Sequence, residues 1–165
     1  MKRVVLSLVM FASVIAVSAQ PRAIGVRLGY DVEVSYQHSL GSNMLQLDAG
    51  LSGFGGFHLV GTYNWVKPIS SWKHAGSWNW YAGVGAGAGL QWRIYQAWGN
   101  VDRYYSRING VAGVAGMGGV EYNFKFPLQL SIDYRPLIGV GFSSSDAWFN
   151  FDGLFGFGVS ARYKF

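Results

Sequence analysis

Hydrophobic and polar positions alternate along residues 151–165, which read FDGLFGFGVSARYKF. Apolar residues such as Phe151 and Phe157 share one side of the alternation, and Ser160 and Arg162 lie on the other. A period of two predicts a β-strand with two chemically different faces. The segment is long enough to cross a membrane at a tilt, which needs about 9–11 residues. It is therefore predicted to be the closing strand of a transmembrane β-barrel.

The same alternation recurs in earlier segments that turn-forming residues separate. The predicted strands cover residues 23–30, 32–37, 44–51, 57–66, 78–93, a part of 108–126, 128–136 and 151–165. Pro68 and Pro127 end two of them because proline cannot donate to a sheet ladder, and Gly118–Gly119 is a candidate bulge. Eight strands joined by consecutive reversals predict an all-β, eight-stranded antiparallel up-and-down transmembrane barrel. Both chain ends then lie on one side, and the longest connection, 94–107, lies on the outward side.

The first residues have the pattern of an export signal. Lys2 and Arg3 form a positive end, residues 4–17 are apolar, and small residues follow before Gln20. The pattern predicts a cleavable signal peptide over 1–19 and a barrel domain over 20–165. A membrane anchor is the alternative, but the apolar stretch is short for a spanning helix, which needs about 20 residues.

The composition indicates that much of the outer surface of the barrel is not exposed to water. Aromatic residues make up 17% of the chain and charged residues 13%, whereas soluble domains carry about 25% charged residues. The formal charge is +5, but the basic residues are scattered singly, so nucleic-acid binding is not predicted. The chain has no cysteine, which removes disulfides, thiolate metal sites and a cysteine nucleophile.

Four stretches carry a resemblance to a known family. They read GVRLGYDVEVSYQHSLG, NWYAGVGAGAG, VEYNFKFPLQLSIDYRP and RYKF. The chain resembles the small secreted outer-membrane β-barrel family of Gram-negative bacteria, and its architecture is similar to the eight-stranded barrels of outer-membrane proteins A and X. The resemblance implies a place in the cell outer membrane, but most members of the family have no assigned activity.

The resemblance also implies partners. We expect contact with outer-membrane lipid and lipopolysaccharide, and a monomer. The last strand is similar to the signal that the barrel assembly machinery reads, and the aromatic residues Tyr163 and Phe165 would carry that signal. An apolar strand edge is a template for pairing with another strand. Before closure the last strand offers such an edge, and after closure it pairs with the first strand.

The inward face of the predicted barrel collects charged residues. They are Arg27, Glu33, Asp48, Arg93, Glu121, Lys125, Asp133, Arg135, Asp152, Arg162 and Lys164. An eight-stranded barrel is just wide enough for side chains to fill it, and buried charges need partners. The pattern favours a balanced network of ion pairs that fills the lumen. A narrow gated conduit lined by the same charges, like a small porin, is the alternative.

Signals for catalysis and cofactors are weak. The glycines of residues 83–89 have neither the spacing nor the Lys-Ser or Lys-Thr pair of a phosphate loop. They are expected to leave room for long side chains from across the lumen. His38 and Ser39 point to opposite faces of a strand, so they do not form the convergent set that an esterase needs. His58 and His74 are too isolated in sequence to indicate a metal site, so neither a cofactor nor an enzyme is predicted.

The outward connection is the candidate for binding. It carries the residues Tyr95, Trp98, Arg103, Tyr104, Tyr105 and Arg107. Aromatic residues with arginine are favoured at binding surfaces, which predicts a ligand or adhesion site. The alternative is that these residues extend the hairpin and contact lipopolysaccharide headgroups.

These observations predict a non-catalytic barrel with a structural or surface-interaction role. One rival is a soluble lipocalin-like carrier of a small apolar ligand, which would turn its large apolar residues inward and its charges outward. A second rival is a lipid-modifying barrel enzyme, for which the sequence offers no convergent serine, histidine and acid.

Overall fold

The computed structural model describes the backbone of residues 22–51, 56–72, 75–96, 104–144 and 146–165, without the side chains of 93–96, 104–107 and 152. The strand segments are β1 (Arg22–Gly29), β2 (Val32–Leu40), β3 (Asn43–Leu51), β4 (Gly56–Pro68), β5 (Ser77–Gln96), β6 (Tyr104–Asn123), β7 (Leu128–Tyr134), β8 (Leu137–Phe142), β9 (Ala147–Gly153) and β10 (Phe157–Lys164). No helix in the described ranges has the length and apolar character needed to cross a membrane.

The strands close into an antiparallel barrel. Each of β1 to β6 pairs with the next along the chain, β6 pairs with both β7 and β8, and β10 pairs with β7 and with β1. Because β7 and β8 continue one another along β6, they form one interrupted strand, and β9 and β10 form another. The eight-stranded antiparallel barrel predicted from the alternation is confirmed.

The interruption between β7 and β8 falls at Arg135 and Pro136. Proline lacks the N–H that a ladder requires, but the strand resumes because the Gly116 N–H donates to the Pro136 carbonyl at 3.0 Å. The barrel strand formed by β7 and β8 therefore runs on to Phe142, beyond the end predicted at Pro136.

The last strand of the barrel, formed by β9 and β10, contains two register shifts. Gly139 faces Asn150 and Leu137 faces Gly153, a shift of one residue. A second shift of one follows, because Tyr134 faces Phe157. Two single shifts restore the side-chain phase, so the shared outer face predicted for Phe151 and Phe157 survives the break: both are exposed.

The wall is apolar outside and polar inside. Along β10, Val159 is 55% exposed, whereas Ser160 and Arg162 are 1% exposed. The outer surface includes Ile24, Val26, Leu28, Val34, Leu47, Leu59, Val84, Leu90, Val114, Leu130, Ile132, Val140 and Phe157. Met44, Tyr81 and Met117 form a small apolar cluster in the interior.

Two details of β6 differ from the prediction. It ends at Asn123, and residues 124–127 form a turn: the Phe124 N–H donates to the Leu128 carbonyl at 3.0 Å, and the Leu128 N–H donates to the Phe126 carbonyl at 2.7 Å. The predicted bulge at Gly118–Gly119 is wrong: the pairing of β5 with β6 is regular from Ser77↔Asn123 to Gln96↔Tyr104.

One end of the barrel extends further than the rest. β5 and β6 are 20 residues long, about twice what a membrane crossing requires. Their far halves join β8 and β9 in an extension with the strand order β5-β6-β8-β9. Tyr95 pairs with Tyr105 within it, so the residues predicted as a loop at Tyr95, Tyr104, Tyr105 and Arg107 lengthen this hairpin. Trp98 and Arg103 lie outside the described residues.

Candidate functional site

The charged lumen is the candidate site, and inward positions on several strands build it. Arg27 lies on β1, Glu33 on β2, Asp48 on β3 and Asp133 on β7, and Arg135 follows β7 at the break. Their exposed fractions are 5% or less. Because successive residues of a strand point to opposite faces, each of these side chains points inward while its neighbours face out.

Arg27 joins two carboxylates. Its Nε donates to Asp133 Oδ1 at 2.7 Å, and its Nη1 donates to Glu33 Oε2 at 2.8 Å. Nη2 donates to the Gly156 carbonyl at 2.7 Å. The guanidinium therefore ties β1 to β2, to β7 and to the turn before β10.

Arg135 joins the same cluster to β3. Its Nη1 donates to Asp48 Oδ2 at 2.6 Å, and its Nη2 donates to Glu33 Oε1. Asp48 also accepts from Gln46 Nε2 at 2.8 Å, and Gln46 Oε1 accepts from Gln37 at 2.9 Å. These contacts supply the hydrogen bonds that a buried ion pair needs to offset its desolvation.

Arg162 is buried, and its hydrogen-bond partners among the described residues are neutral. It donates to three serine hydroxyls: Ser35 at 2.9 Å, Ser131 at 2.8 Å and Ser160 at 3.1 Å. Small hydroxyl residues on three strands thus form a polar cradle for one guanidinium.

Glu121 is a buried carboxylate that neutral side chains surround, as neutral hydroxyls surround Arg162. Its carboxylate accepts from the side-chain amides of Asn79 at 2.8 Å, Asn123 at 3.0 Å and Gln129 at 2.7 Å. It lines a cavity of about 200 Å³ at the end of the barrel where the described chain begins and ends, together with Arg22 and Lys164. Lys164 Nζ donates to the Phe124 carbonyl at 3.0 Å.

Glycines decide where the long side chains fit. A Cβ on Gly158 would lie 2.5 Å from Arg27 Cζ, and one on Gly119 would lie 2.7 Å from the Tyr81 hydroxyl. The glycines of 83–89 differ from the prediction: a Cβ on each would meet the adjacent strand β4 first, and one on Gly87 would also approach Leu137 Cδ1 of β8.

The predicted lumen residues divide into three groups. Arg27, Glu33, Asp48, Glu121, Asp133, Arg135 and Arg162 are buried in the interior, and Lys164 is half-buried. Lys125 differs from the prediction, because it lies exposed in the turn after β6 and not on an inward strand position. The side chains of Arg93 and Asp152 lie outside the described residues.

Sequence reasoning missed the participation of His58 and Asp31. His58 Nε2 contacts Glu33 Oε1 and lies 3.8 Å from Asp31 Oδ2. The signal was the row Glu33–Gly50–His58 across β2, β3 and β4. Because Gly50 has no side chain, Glu33 and His58 meet above it although their strands, β2 and β4, are not neighbours.

Comparison of the chain with protein-family models, with curated proteins and with solved structures finds no match.

Proposed function

We propose that the chain is a non-catalytic barrel of the Gram-negative outer membrane, with a structural or surface-interaction role. The observation that carries this proposal is the polarity of the barrel. Val26 and Ile132 are 46% and 66% exposed, whereas Glu33 and Arg162 are each 1% exposed. An apolar exterior around a polar interior is the arrangement of barrels that stand in lipid.

Aromatic rings support a membrane position. At the end where the described chain begins and ends, the ring centroids of Trp78 and Tyr122 are 4.7 Å apart. The ring of Phe124 continues the row, with its centroid 4.6 Å from that of Tyr122. Towards the other end, Tyr134 and Phe157 pack at 4.5 Å. Aromatic belts at two levels are typical of membrane–water interfaces.

The rival carrier function requires the opposite polarity. A lipocalin-like protein would line its cavity with apolar residues, but the interior here holds Arg27, Glu33, Asp48 and Asp133. An exposed apolar surface of this extent would also promote association in water.

The extension favours surface interaction. β9 pairs with β8 and with no other strand among the described residues. Its outward ring Phe149 is 76% exposed. An exposed strand edge accepts another extended segment through main-chain hydrogen bonds, so we propose that the extension presents this edge to an extended protein segment outside the cell.

The contents of the lumen favour a barrel closed by its own side chains over an open conduit. Two cavities that described residues line, one at each end of the barrel, share no lining residue. Buried Arg27, Glu33, Tyr81 and Arg162 fill the space among the strands. Planar-bilayer recording checks this: a plugged barrel gives no discrete conductance steps, whereas steps would favour the gated pore.

Cell fractionation tests the proposed location. The native chain is expressed in a Gram-negative host, and the envelope is separated by density. We expect it in the outer-membrane band, extractable only with detergent. Recovery in the soluble periplasmic fraction without detergent would contradict the membrane function and would favour the carrier.

A further inference from the structure

We propose that Asp31, Glu33 and His58 form a binding site for a divalent transition-metal ion at the mouth of the lumen, at the end that carries the extension. Each residue offers one ligand atom, and these atoms all lie within 4.8 Å of one another. Ligand atoms of a tetrahedral zinc site lie roughly 3.4 Å apart, given metal–ligand distances of about 2.1 Å. An ion would therefore separate His58 Nε2 from Glu33 Oε1, which are in contact, and draw Asp31 slightly closer.

The backbone fixes two of the three ligands. Glu33 faces Gly50 on β3, and Gly50 faces His58 on β4. A Cβ on Gly50 would lie 2.7 Å from Glu33 Cγ, so any other residue there would push the carboxylate away. Asp31 stands in the turn before β2, and its Oδ2 is 3.8 Å from His58 Nε2.

The site is open on one side. The side chain of Glu33 is 0% exposed, whereas those of His58 and Asp31 are 13% and 24% exposed. Both of the latter line a cavity that Arg135 and Asn150 also border. An ion can therefore enter from the mouth and reach Glu33 from the imidazole side.

An ion would compete with two arginine side chains for Glu33. The described ion pairs join Glu33 to Arg27 and Arg135, and His58 lies beside the carboxylates of both Glu33 and Asp31. Arg135 competes with an ion for Glu33 Oε1, but it keeps Asp48 as a partner at 2.6 Å. Arg27 holds the other oxygen, Oε2, and leaves Oε1 directed at His58.

The donor set selects the class of metal. One imidazole nitrogen and two carboxylate oxygens suit zinc and its neighbours in the first transition row, whereas calcium and magnesium prefer oxygen ligands alone. With three protein ligands the ion would keep an open position towards the cavity, which water would fill.

The experiment uses the three histidines of the chain. A parent variant with His38→Asn and His74→Asn, purified in detergent without a histidine tag, keeps His58 as its only imidazole. Zinc is titrated by calorimetry, and cobalt is titrated by its visible absorption. The parent is compared with the same variant carrying His58→Asn or Asp31→Asn, and folding is checked by β-sheet circular dichroism.

We expect the parent to bind one zinc ion per chain and to give a cobalt spectrum that shows nitrogen ligation. Loss of an outer-sphere partner already weakens metal affinity by about 10–100-fold, so His58→Asn should weaken it by at least about tenfold. Asp31→Asn, at the exposed turn, gives the same answer if His58→Asn does not fold. A parent that binds no zinc, or a folded His58→Asn or Asp31→Asn variant with unchanged affinity, would overturn the proposal.

Discussion

Arg27 and Asp133 meet inside the barrel at 2.7 Å, although 106 residues separate them in sequence. They do not lie on neighbouring strands: β10 runs between β1 and β7, and Gly158 of β10 faces Asp133. Arg27 passes over this glycine to reach the carboxylate. The ion pair therefore depends on a residue that makes no polar side-chain contact of its own.

Asp133→Asn should destabilise the folded barrel by about 3–5 kcal/mol, because it leaves the buried Arg27 guanidinium with one carboxylate partner fewer. The matched control is Asp146→Asn, which removes the same charge from an exposed turn and should change stability by less than about 0.5 kcal/mol. Urea unfolding in lipid vesicles measures both. Equal stabilities for the two variants would contradict the role of the network.

Gly158→Ala should also weaken the network, by about 1–3 kcal/mol, because the added methyl group overpacks the site. The new Cβ would lie 2.5 Å from Arg27 Cζ. Gly118→Ala is the control, since a Cβ there meets nothing within 4 Å. The same unfolding titration should separate the two alanines, and a penalty for Gly118→Ala alone would refute the explanation.

Much of this fold could be predicted from alternation. The phase of β10 and of β7 follows from apolar residues such as Val159 and Ile132 set against Ser160 and Asp133. The extension could not be predicted in the same way, because Pro136 reads as a strand end. After Pro136 the strand continues as β8, because the long neighbouring strand β6 supplies backbone hydrogen bonds there.

The site was predictable in part for a related reason. Inward charges could be assigned one strand at a time from their phase, as for Glu33 and Asp133. Which charges meet depends on the stagger between strands and on where glycine leaves space. His58 looked isolated in the sequence because its partner Glu33 lies two strands away, across Gly50.

Leu130→Arg should destabilise the barrel if the outer wall stands in lipid, because a charge in the bilayer loses its hydration. The penalty is roughly 2–4 kcal/mol at the midplane and about 0–1 kcal/mol near the interfaces. Leu130 is 39% exposed on the outer face of β7, where it faces Tyr122 of β6. Leu154→Arg is the control, since Leu154 lies in a turn outside the strands. Unfolding titrations in vesicles that gave Leu130→Arg no larger penalty would argue against a lipid-facing wall.

Phe165→Ala should lower membrane insertion in cells more than it lowers the stability of the refolded barrel. Phe165 exchanges backbone hydrogen bonds with Arg22 at 2.8 and 3.0 Å, at the seam where the barrel closes. Its ring is 56% exposed, and that of the control residue Phe155, at the other end, is 76% exposed. Inserted yield in cells is compared with unfolding in vitro. If both alanine variants insert like the native chain, the ring is a lipid anchor only.

The most direct test of the central proposal measures what surrounds the outer wall. The chain has no cysteine, so single spin-labelled cysteines can be placed at Val26, Ile132 and Val159 on the outer face and at Ser144 in an exposed turn. In vesicles, the three wall labels should collide with oxygen, which concentrates in lipid, and be shielded from a water-soluble nickel chelate. The Ser144 label should show the reverse. Wall labels that collide with the nickel chelate as readily as Ser144 would contradict a barrel that stands in the membrane.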